Sequence, residues 1–357
     1  MGGGIKMANE AGKITKAYFE KYILPKTGAK RNEVIVPPKS GVDTGVIRIA
    51  PGRVMAVTTD PFAIHPSLGW HKAAWFAFHI IASDLCTSGL PPEYLSVDLN
   101  LPVSIKDGEI SEMWDTVHEE CRKYGVAVVT GHTARYDGTD YPMVGGATMM
   151  GTGSEDEYIT SAMSRPGDAV IITKTVAIEA AAMLTAMFPQ YVEKELGTGD
   201  FRKLDSMFYR MTTVDESMEA SRFGLRSRGI TSMHDATEGG VLGALYEIAD
   251  ASGNGILIEK DKLPLSPEVS RISELFGMNP YRSISEGTLL ITAVPDKADA
   301  FVKRLNAKGI ESVIAGYMKE ENFGRKIEDS GMLKDIDPPG HDDYWKAINY
   351  GVSRRLK

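Results

Sequence analysis

Three aspartates carry the first chemical signal in this chain. VIRIA (46–50) and RVMAVTT (53–59) are β-rich runs joined by Pro51-Gly52, a turn pair. A two-residue turn there pairs Ala50 with Arg53 and sets Asp43 opposite Asp60. Two carboxylates facing each other across a hairpin repel, and a cation between them reverses that sign. The competing reading is that Gly41 and Gly45 mark a bend and leave Asp43 in solvent. Asp84 is the only formally charged residue from Ala73 to Leu90. A carboxylate in so apolar a helix is paired, metal-bound or protonated, because burying an isolated charge is costly. Near the helix end, beside Ser83, Thr87 and Ser88, it can instead be exposed. Three aspartates suit a hard cation such as Mg²⁺, with room left for phosphate oxygens. Zinc is disfavoured, since Cys86 and Cys121 form no zinc spacing.

His132, in VTGHT after a strand, stands where a fourth ligand would lie, or it serves as a hydrogen-bonding residue in a loop. His65 and His71 carry the same two readings. In MHDATEGG (233–240), Asp235 ends a strand, Thr237 is placed to cap the next helix, and Gly239-Gly240 would let backbone N–H groups approach an anion. Glu238 argues against a bare phosphate there. An ordinary strand–cap–helix corner is the alternative. Glu286, in SISEGT before a strand, is a further candidate. The nucleotide and hydrolase signatures G-x-x-x-x-G-K-[ST], strand-linked G-x-G-x-x-G, H-E-x-x-H and G-x-S-x-G are absent.

These residues need a frame of alternating strands and helices. The pattern predicts a helix from His71 to Ser88, a strand over YLSVDLNLP (94–102) with period two, and a helix from Asp107 to Tyr124 stopped by Gly125. Strands follow at 126–130 and 143–153. After a turn at 164–168 come the strand AVIIT (169–173), helices at 176–187 and 214–226, a strand end at 232–235 and a helix from Thr237 to Ala251. The strand 255–260, the helix 266–277, the strand GTLLITAV, a helix from Asp296 and the strand ESVIAGYM complete a second half. The tail beyond Gly331 holds a short amphipathic end.

The expected fold is therefore mixed α/β (α+β), in two domains. Residues 1–35 are a tail and helix, with Gly2, Gly3 and Gly4 flexible. Residues 36–160 and 165–325 are the domains, and 326–357 a second tail. At 357 residues, 43% hydrophobic and 25% charged, the chain is globular rather than disordered. Its net charge of −8 argues against coating nucleic acid. Two cysteines without pairing spacing point to a reducing, cytoplasmic compartment. The longest uncharged stretch, 141–154, is too short to span a bilayer, and the first ten residues lack the apolar core of a secretion signal.

The phrases GVDTGVI (41–47), TTDPF (58–62), ASDLCTSG (82–89), PEYLSVDL, VVTGHT and HDATEGG…ADASGNGI, in that order, make the chain resemble the aminoimidazole ribonucleotide (AIR) synthetase superfamily. That family also holds the hydrogenase-maturation protein HypE, selenophosphate synthetase and thiamine-monophosphate kinase, and the resemblance, over roughly 35–320, is greatest to the HypE branch. It implies two α/β domains, the N-terminal sheet domain dimerising, with ATP and Mg²⁺ between the domains. Asp43, Asp60 and Asp84 would hold the metal. Gly131, Thr133, Thr237, Gly239 and Gly240 would join them around the cofactor, and Asp235, His132 and Glu286 would be catalytic. The implied chemistry is ATP-dependent phosphorylation of a carbonyl or amide oxygen, or of a small molecule. The substrate is a small molecule or a protein-borne carbonyl, and a maturation-complex protein is an expected partner.

Departures from the family pattern bear on that reading. The HypE branch carries a C-terminal cysteine that receives a carbamoyl group; this chain ends GVSRRLK. GDT is replaced by Gly131-His132-Thr133, a following lysine by Ala134 beside Arg135, DDAAV by Val42-Asp43-Thr44, and the arginine of D-P-T-R-G-G by Glu238. The N-terminal nucleophile of selenophosphate synthetase is missing too. These changes suggest a HypE-like paralogue with altered metal occupancy and another substrate. Two alternatives stand beside the enzyme: a non-catalytic nucleotide-binding maturation partner, and a thiamine-monophosphate-type kinase, to which Gly69-Trp70 lends some support.

Overall fold

Two β-sheets, one in each half of the chain, frame the computed structural model, which describes residues 13–140 and 143–357. The glycines at positions 2 to 4 lie outside the described residues. The first sheet contains β1 (Val34–Val36), β2 (Gly45–Ala50), β3 (Arg53–Ile64), β4 (Tyr94–Pro102), β5 (Ala127–Tyr136) and β6 (Met143–Ser154), in the order β1-β2-β3-β6-β4-β5. Only β4 and β5 pair in parallel. Helices α1 (Trp70–Cys86) and α2 (Asp107–Tyr124) pack together, and α1 lies on β3 and β6. Along β3 the buried residues are Val54, Ala56, Thr58, Phe62 and Ile64, a period of two that marks the helix-covered face. Arg53, Thr59 and Pro61 on the opposite face are exposed.

The second sheet runs β13-β12-β9-β11-β7-β10-β8. Its strands are β7 (Ala169–Thr173), β8 (Ile230–Asp235), β9 (Gly255–Glu259), β10 (Leu289–Ala293), β11 (Ser312–Lys319), β12 (Arg325–Asp329) and β13 (Met332–Asp335), with β9 and β12 the parallel pair. The helices of this half are α3 (Ile178–Met187), α4 (Pro189–Leu196), α5 (Thr198–Ser206), α6 (Val214–Phe223), α7 (Gly240–Ser252), α8 (Pro267–Phe276), α9 (Pro295–Ala307) and α10 (Asp343–Ser353). Every residue of β7 is buried, because both faces are covered. Val170 and Ile172 pack with Val241, Leu245 and Ile248 of α7. Ala169 and Ile171 pack with Ala220 of α6 and Phe301 and Leu305 of α9. Among the described residues no helix is long and apolar enough to cross a membrane.

The β2–β3 hairpin turns at Pro51-Gly52 and pairs Ala50 with Arg53, as the sequence predicts. The register then slips by one. Arg48 pairs with Val54 and Gly45 with Val57, leaving Ile49 as a bulge. A one-residue bulge shifts every pairing beyond it. Asp43 is therefore not opposite Asp60; it lies in the loop ahead of β2. The predicted bounds of β4 and α2 match the structure, whereas α4, α5 and the β12–β13 hairpin occupy stretches where the sequence reading places no element.

Candidate active site

Asp43 is fixed by the loop that brings the first half against the second. Gly41, at φ +71°, packs so closely on α7 that a Cβ there would stand 3.1 Å from the Cβ of Glu247. Ser161 Oγ donates to the Gly41 carbonyl. Thr58 Oγ1, on β3, lies 3.0 Å from the Asp43 carbonyl and 3.2 Å from Asp84 Oδ2, so its one proton is shared between two acceptors. The hydroxyl thus ties the loop to the last turn of α1.

From the second half, β8 delivers His234 and Asp235 at its C-terminal end. β8 is an edge strand of its sheet, held in register by β10 through the pairs Leu290 with His234 and Leu289 with Asp235. His234 is 4% exposed; its Nδ1 lies 2.9 Å from Asp43 Oδ2 and its Nε2 3.1 Å from Glu247 Oε2. Burial alone would lower its pKa, but the carboxylates of Asp43 and Glu247 outweigh burial and hold it well above the ordinary histidine range. Both ring nitrogens thus face carboxylate oxygens at hydrogen-bond distance.

Below it the charge is uncompensated. Asp235 is 1% exposed, and neither carboxylate oxygen has a hydrogen-bond partner. Burial, reinforced by Asp43, pushes its pKa up to about 6. Glu286, also 1% exposed, has no well-formed hydrogen bond at either oxygen, and the nearby Ser83 hydroxyl opposes its rise. Burial, then Asp235, Glu179 and Asp84, raise Glu286 well above the carboxylate range. Glu179 accepts from the Glu286 N–H at 3.0 Å and is pushed by burial to about 8. Asp84 is raised well above its ordinary value by burial and by Asp235, Asp60 and Asp43. Burial likewise takes Asp60 to about 6, with Glu238 and Asp43 adding to it and Lys13 opposing.

Above this acidic floor opens a cavity of about 760 Å³, lined by Asp43, Asp60, Asp84, His234 and Glu247 and by segments from both ends of the chain. Lys13 reaches in from the N-terminal segment. Its Nζ donates to Thr237 Oγ1 at 2.9 Å and its backbone N–H to Glu238 Oε2 at 2.6 Å. Burial of the ammonium works against its charge, but Asp84, Glu247, Asp60 and Asp235 prevail and raise its pKa. Residues 338–342 close the opposite side.

The structure thus gathers Asp43, Asp60 and Asp84 around one cavity, with Asp235 and Glu286 buried behind its lining, near enough to Asp84 to raise one another's pKa values. It does not bring Gly131, His132 and Thr133 there. Asp60 pairs with Ala147, Ala147 with Val97, and Val97 with Gly131. Three strand spacings of ~4.8 Å put Gly131 about 14 Å away across the sheet. His132 is exposed on β5, a strand rather than the loop expected, with Nε2 2.9 Å from Tyr136 Oη, and it does not line this chain's own cavity. The helix-cap reading of Thr237 is also corrected. α7 begins at Gly240, and the Thr237 hydroxyl accepts from Lys13 while its carbonyl accepts from the Gly240 N–H. The anion at the paired glycines turns out to be internal. The Gly239 N–H donates to Asp342 Oδ2 at 2.8 Å, and Asp342 Oδ1 accepts from the Tyr344 N–H, capping α10.

Sequence reasoning missed His234, Glu247, Lys13 and Asp342. Glu247 was findable by the logic that found Asp84, since it is the only formal charge in GVLGALYEIA (240–249).

Two sequence-family patterns match the chain: the N-terminal domain of AIR synthase related proteins over residues 41–152 and the C-terminal domain over 165–327. The carbamoyl dehydratase HypE of Rhizobium leguminosarum bv. viciae is 25% identical over 299 residues, covering 80% of this chain and 79% of that protein. Among solved structures, hydrogenase maturation protein HypE in complex with ATP superposes with a TM-score of 0.67 at 18% identity, covering 92% of this chain and 93% of the other. A chain of the HypE–HypF complex gives 0.71 at 20% identity, covering 90% and 100%. AaThiL complexed with AMPPCP and TMP gives 0.66 at 22% identity, covering 84% and 90%. At these identities the structural likenesses show the shared fold.

Proposed function

The chain belongs to the AIR synthase related family through both of its domains, and from that premise we propose that it is an ATP-dependent enzyme activating a carbonyl or amide oxygen by phosphorylation. The observation that carries this reading is the buried carboxylate of Asp235, with no hydrogen-bond partner at either oxygen. Unpaired buried carboxylates are costly, and a cation-bearing ligand offsets that cost. Asp43, Asp60 and Asp84 would hold Mg²⁺, and Mg·ATP supplies the phosphoryl group that turns a substrate oxygen into a leaving group. The protein's own part is positioning and proton handling. Asp43 and Asp60 come from the first half and Asp235 from the second, so a bound nucleotide bridges the two. Glu286, whose carboxyl is raised well above the ordinary range by burial, is the proposed group for proton handling.

Neither cysteine serves as an acceptor on this chain's described residues. Cys86 and Cys121 are free and buried, and burial pushes both thiols up, Cys121 to about 11. The substrate is then a separate small molecule or a carbonyl borne by another protein, and a maturation-complex protein is the proposed partner. Free cysteines suit a cytoplasmic location. The exposed strand β5, with Val128 and Val129 half exposed, and the open face of the first sheet support a homodimer in which Gly131, His132 and Thr133 belong to the subunit interface.

A second reading, nucleotide binding without turnover, is favoured by Lys13 and Asp342. They place the chain's own cation and anion in the cavity. ATP binding without phosphoryl transfer to any small molecule would select it.

Thermal-shift titration with ATP, with and without Mg²⁺, tests the main reading. Ligand at 100 times its Kd stabilises by about 2.7 kcal/mol, a rise of several degrees. The shift is expected only with Mg²⁺ and is expected to vanish in Asp84→Asn, whose ligand-free midpoint stays at or above that of the wild type. Undiminished Mg-dependent binding in that variant would overturn the site.

A further inference from the structure

The donor set in the cavity is not all oxygen. Asp43, His234 and Asp235 offer one ligand atom each, all within 4.8 Å of one another. Ligands bound at about 2.1 Å to one ion stand ~3.0 Å apart when adjacent and ~4.2 Å apart when opposite. The observed separations from His234 Nδ1 are 2.9 Å to Asp43 Oδ2 and 4.0 Å to Asp235 Oδ1. Three side chains from two halves of the chain therefore already stand at coordination spacing.

Two further observations point to a ligand. Asp235 is 1% exposed, and both its oxygens lack any partner. His234 also has the support that metal-bound histidines generally show, with its other ring nitrogen held by a carboxylate. Nε2 is 3.1 Å from Glu247 Oε2, which fixes the ring and leaves Nδ1 as the nitrogen facing Asp43 and Asp235. Glu247 is itself anchored, because Gly41 packs directly on its backbone and Cβ.

We infer that Asp43, His234 and Asp235 form a nitrogen–oxygen centre for a divalent transition ion of the Mn²⁺, Co²⁺ or Zn²⁺ class, with His234 ligating through Nδ1, any proton on that nitrogen being released to solvent as the ion enters, and Glu247 as its positioning residue. Imidazole suits these ions, whereas Mg²⁺ takes oxygen ligands and keeps several waters. The inference rests on the proposed reading of the cavity as a cation site; it shares Asp43 with the set Asp43, Asp60 and Asp84 and adds an ion on the His234 side. The sequence reading had disfavoured zinc on its cysteines; an imidazole–carboxylate set needs none.

The full-length chain, stripped of metal and reloaded with Mn²⁺, is the sample. Pulsed electron paramagnetic resonance reads nitrogen coupled to the bound ion, and calorimetry compares Mn²⁺, Zn²⁺ and Mg²⁺ affinities. The expected result is a histidine-nitrogen modulation that changes when the protein is labelled with ¹⁵N-histidine. At least tenfold tighter binding of Mn²⁺ and Zn²⁺ than of Mg²⁺ should accompany it. His234→Gln should lose the modulation and at least tenfold in Mn²⁺ affinity, while His341→Gln, at the other histidine lining the cavity, keeps both. The labelled wild type gives the nitrogen result even where His234→Gln fails to fold. Mn²⁺ bound without nitrogen coupling, or equal affinities for Mn²⁺ and Mg²⁺, overturns the inference and leaves the Mg·ATP reading standing. No Mn²⁺ retained overturns the inference as well, and the ATP thermal shift then decides separately whether the nucleotide reading survives.

Discussion

Asp235 concentrates the electrostatics of the site in one residue. Its ordinary pKa is 3.8, and in the folded chain it is about 6. The folded state thus holds this proton more tightly than the unfolded state does. Stability from this group is fully present below the unfolded pKa, falls as pH rises from about 4 to about 6, and stays reduced above that. Two pKa units at 1.36 kcal/mol each set the effect at up to about 3 kcal/mol. In the absence of divalent cations, Asp235→Asn should be more stable than the wild type at pH 7, and the gap should close toward pH 4. Urea unfolding at pH 4, 5, 6 and 7 checks this; a variant less stable at pH 7, or a gap independent of pH, contradicts it. The same burial that produces this behaviour made Asp84 legible, because a lone charge in an apolar run has few explanations. His234 offered no such contrast. It stands beside Asp235 in a mixed phrase, and only the fold of α7 and the Gly41 loop gives its two nitrogens carboxylate partners.

The elements behind these residues depend on two kinds of signal, and only one is periodic. The strand at 94–102 and the helix at 107–124 emerge from period two and period 3.6 with a Gly125 stop at φ +74°. The bulge at Ile49 has no periodic signature, and it is what moves Asp43 off Asp60. α4 and α5 are short, 8 and 9 residues, and bury one residue each, Val192 and Leu204, so neither runs long enough for a helical period to stand out. The Gly239-Gly240 corner was legible as a place where backbone comes close, although the close partner proved to be protein. Gly240 adopts φ +61°, and a Cβ there would stand 2.7 Å from the Ser283 carbonyl oxygen, 2.8 Å from its nitrogen and 2.9 Å from the Tyr281 carbonyl oxygen. Backbone atoms cannot swing aside as a flexible side chain can. Gly240→Ala should therefore cost about 2–4 kcal/mol, from left-handed strain and overpacking together. Its denaturant midpoint should fall clearly, whereas Gly277→Ala, at φ +66° with nothing within 4 Å, should cost only the strain. Equal losses at the two sites would show that the packing against Ser283 is unimportant.

At the scale of the molecule, two halves meet through like charges, and the ends of the chain supply what compensation there is. Asp43, Asp60 and Asp84 come from one sheet domain, Asp235 and Glu286 from the other. The N-terminal segment enters the gap with Lys13, and Lys16 Nζ fastens the segment to α7 through Asp250 Oδ2 at 2.5 Å. Lys13 faces the field of the same carboxylates that would hold a metal ion, so ammonium and ion compete. Removing the ammonium should leave the cation-free protein less stable and strengthen divalent-ion binding. Ammonium and divalent ion repel each other across the cavity, and dissolved salt screens that repulsion. Lys13→Met should therefore raise Mn²⁺ affinity on the order of tenfold at low salt and less at 0.5 M NaCl. Calorimetry at the two salt concentrations measures it. Unchanged affinity would mean that the N-terminal segment leaves the cavity before the ion enters. Weakened affinity would mean that Lys13 helps organise the site, through Thr237 and Glu238, more than it repels the ion.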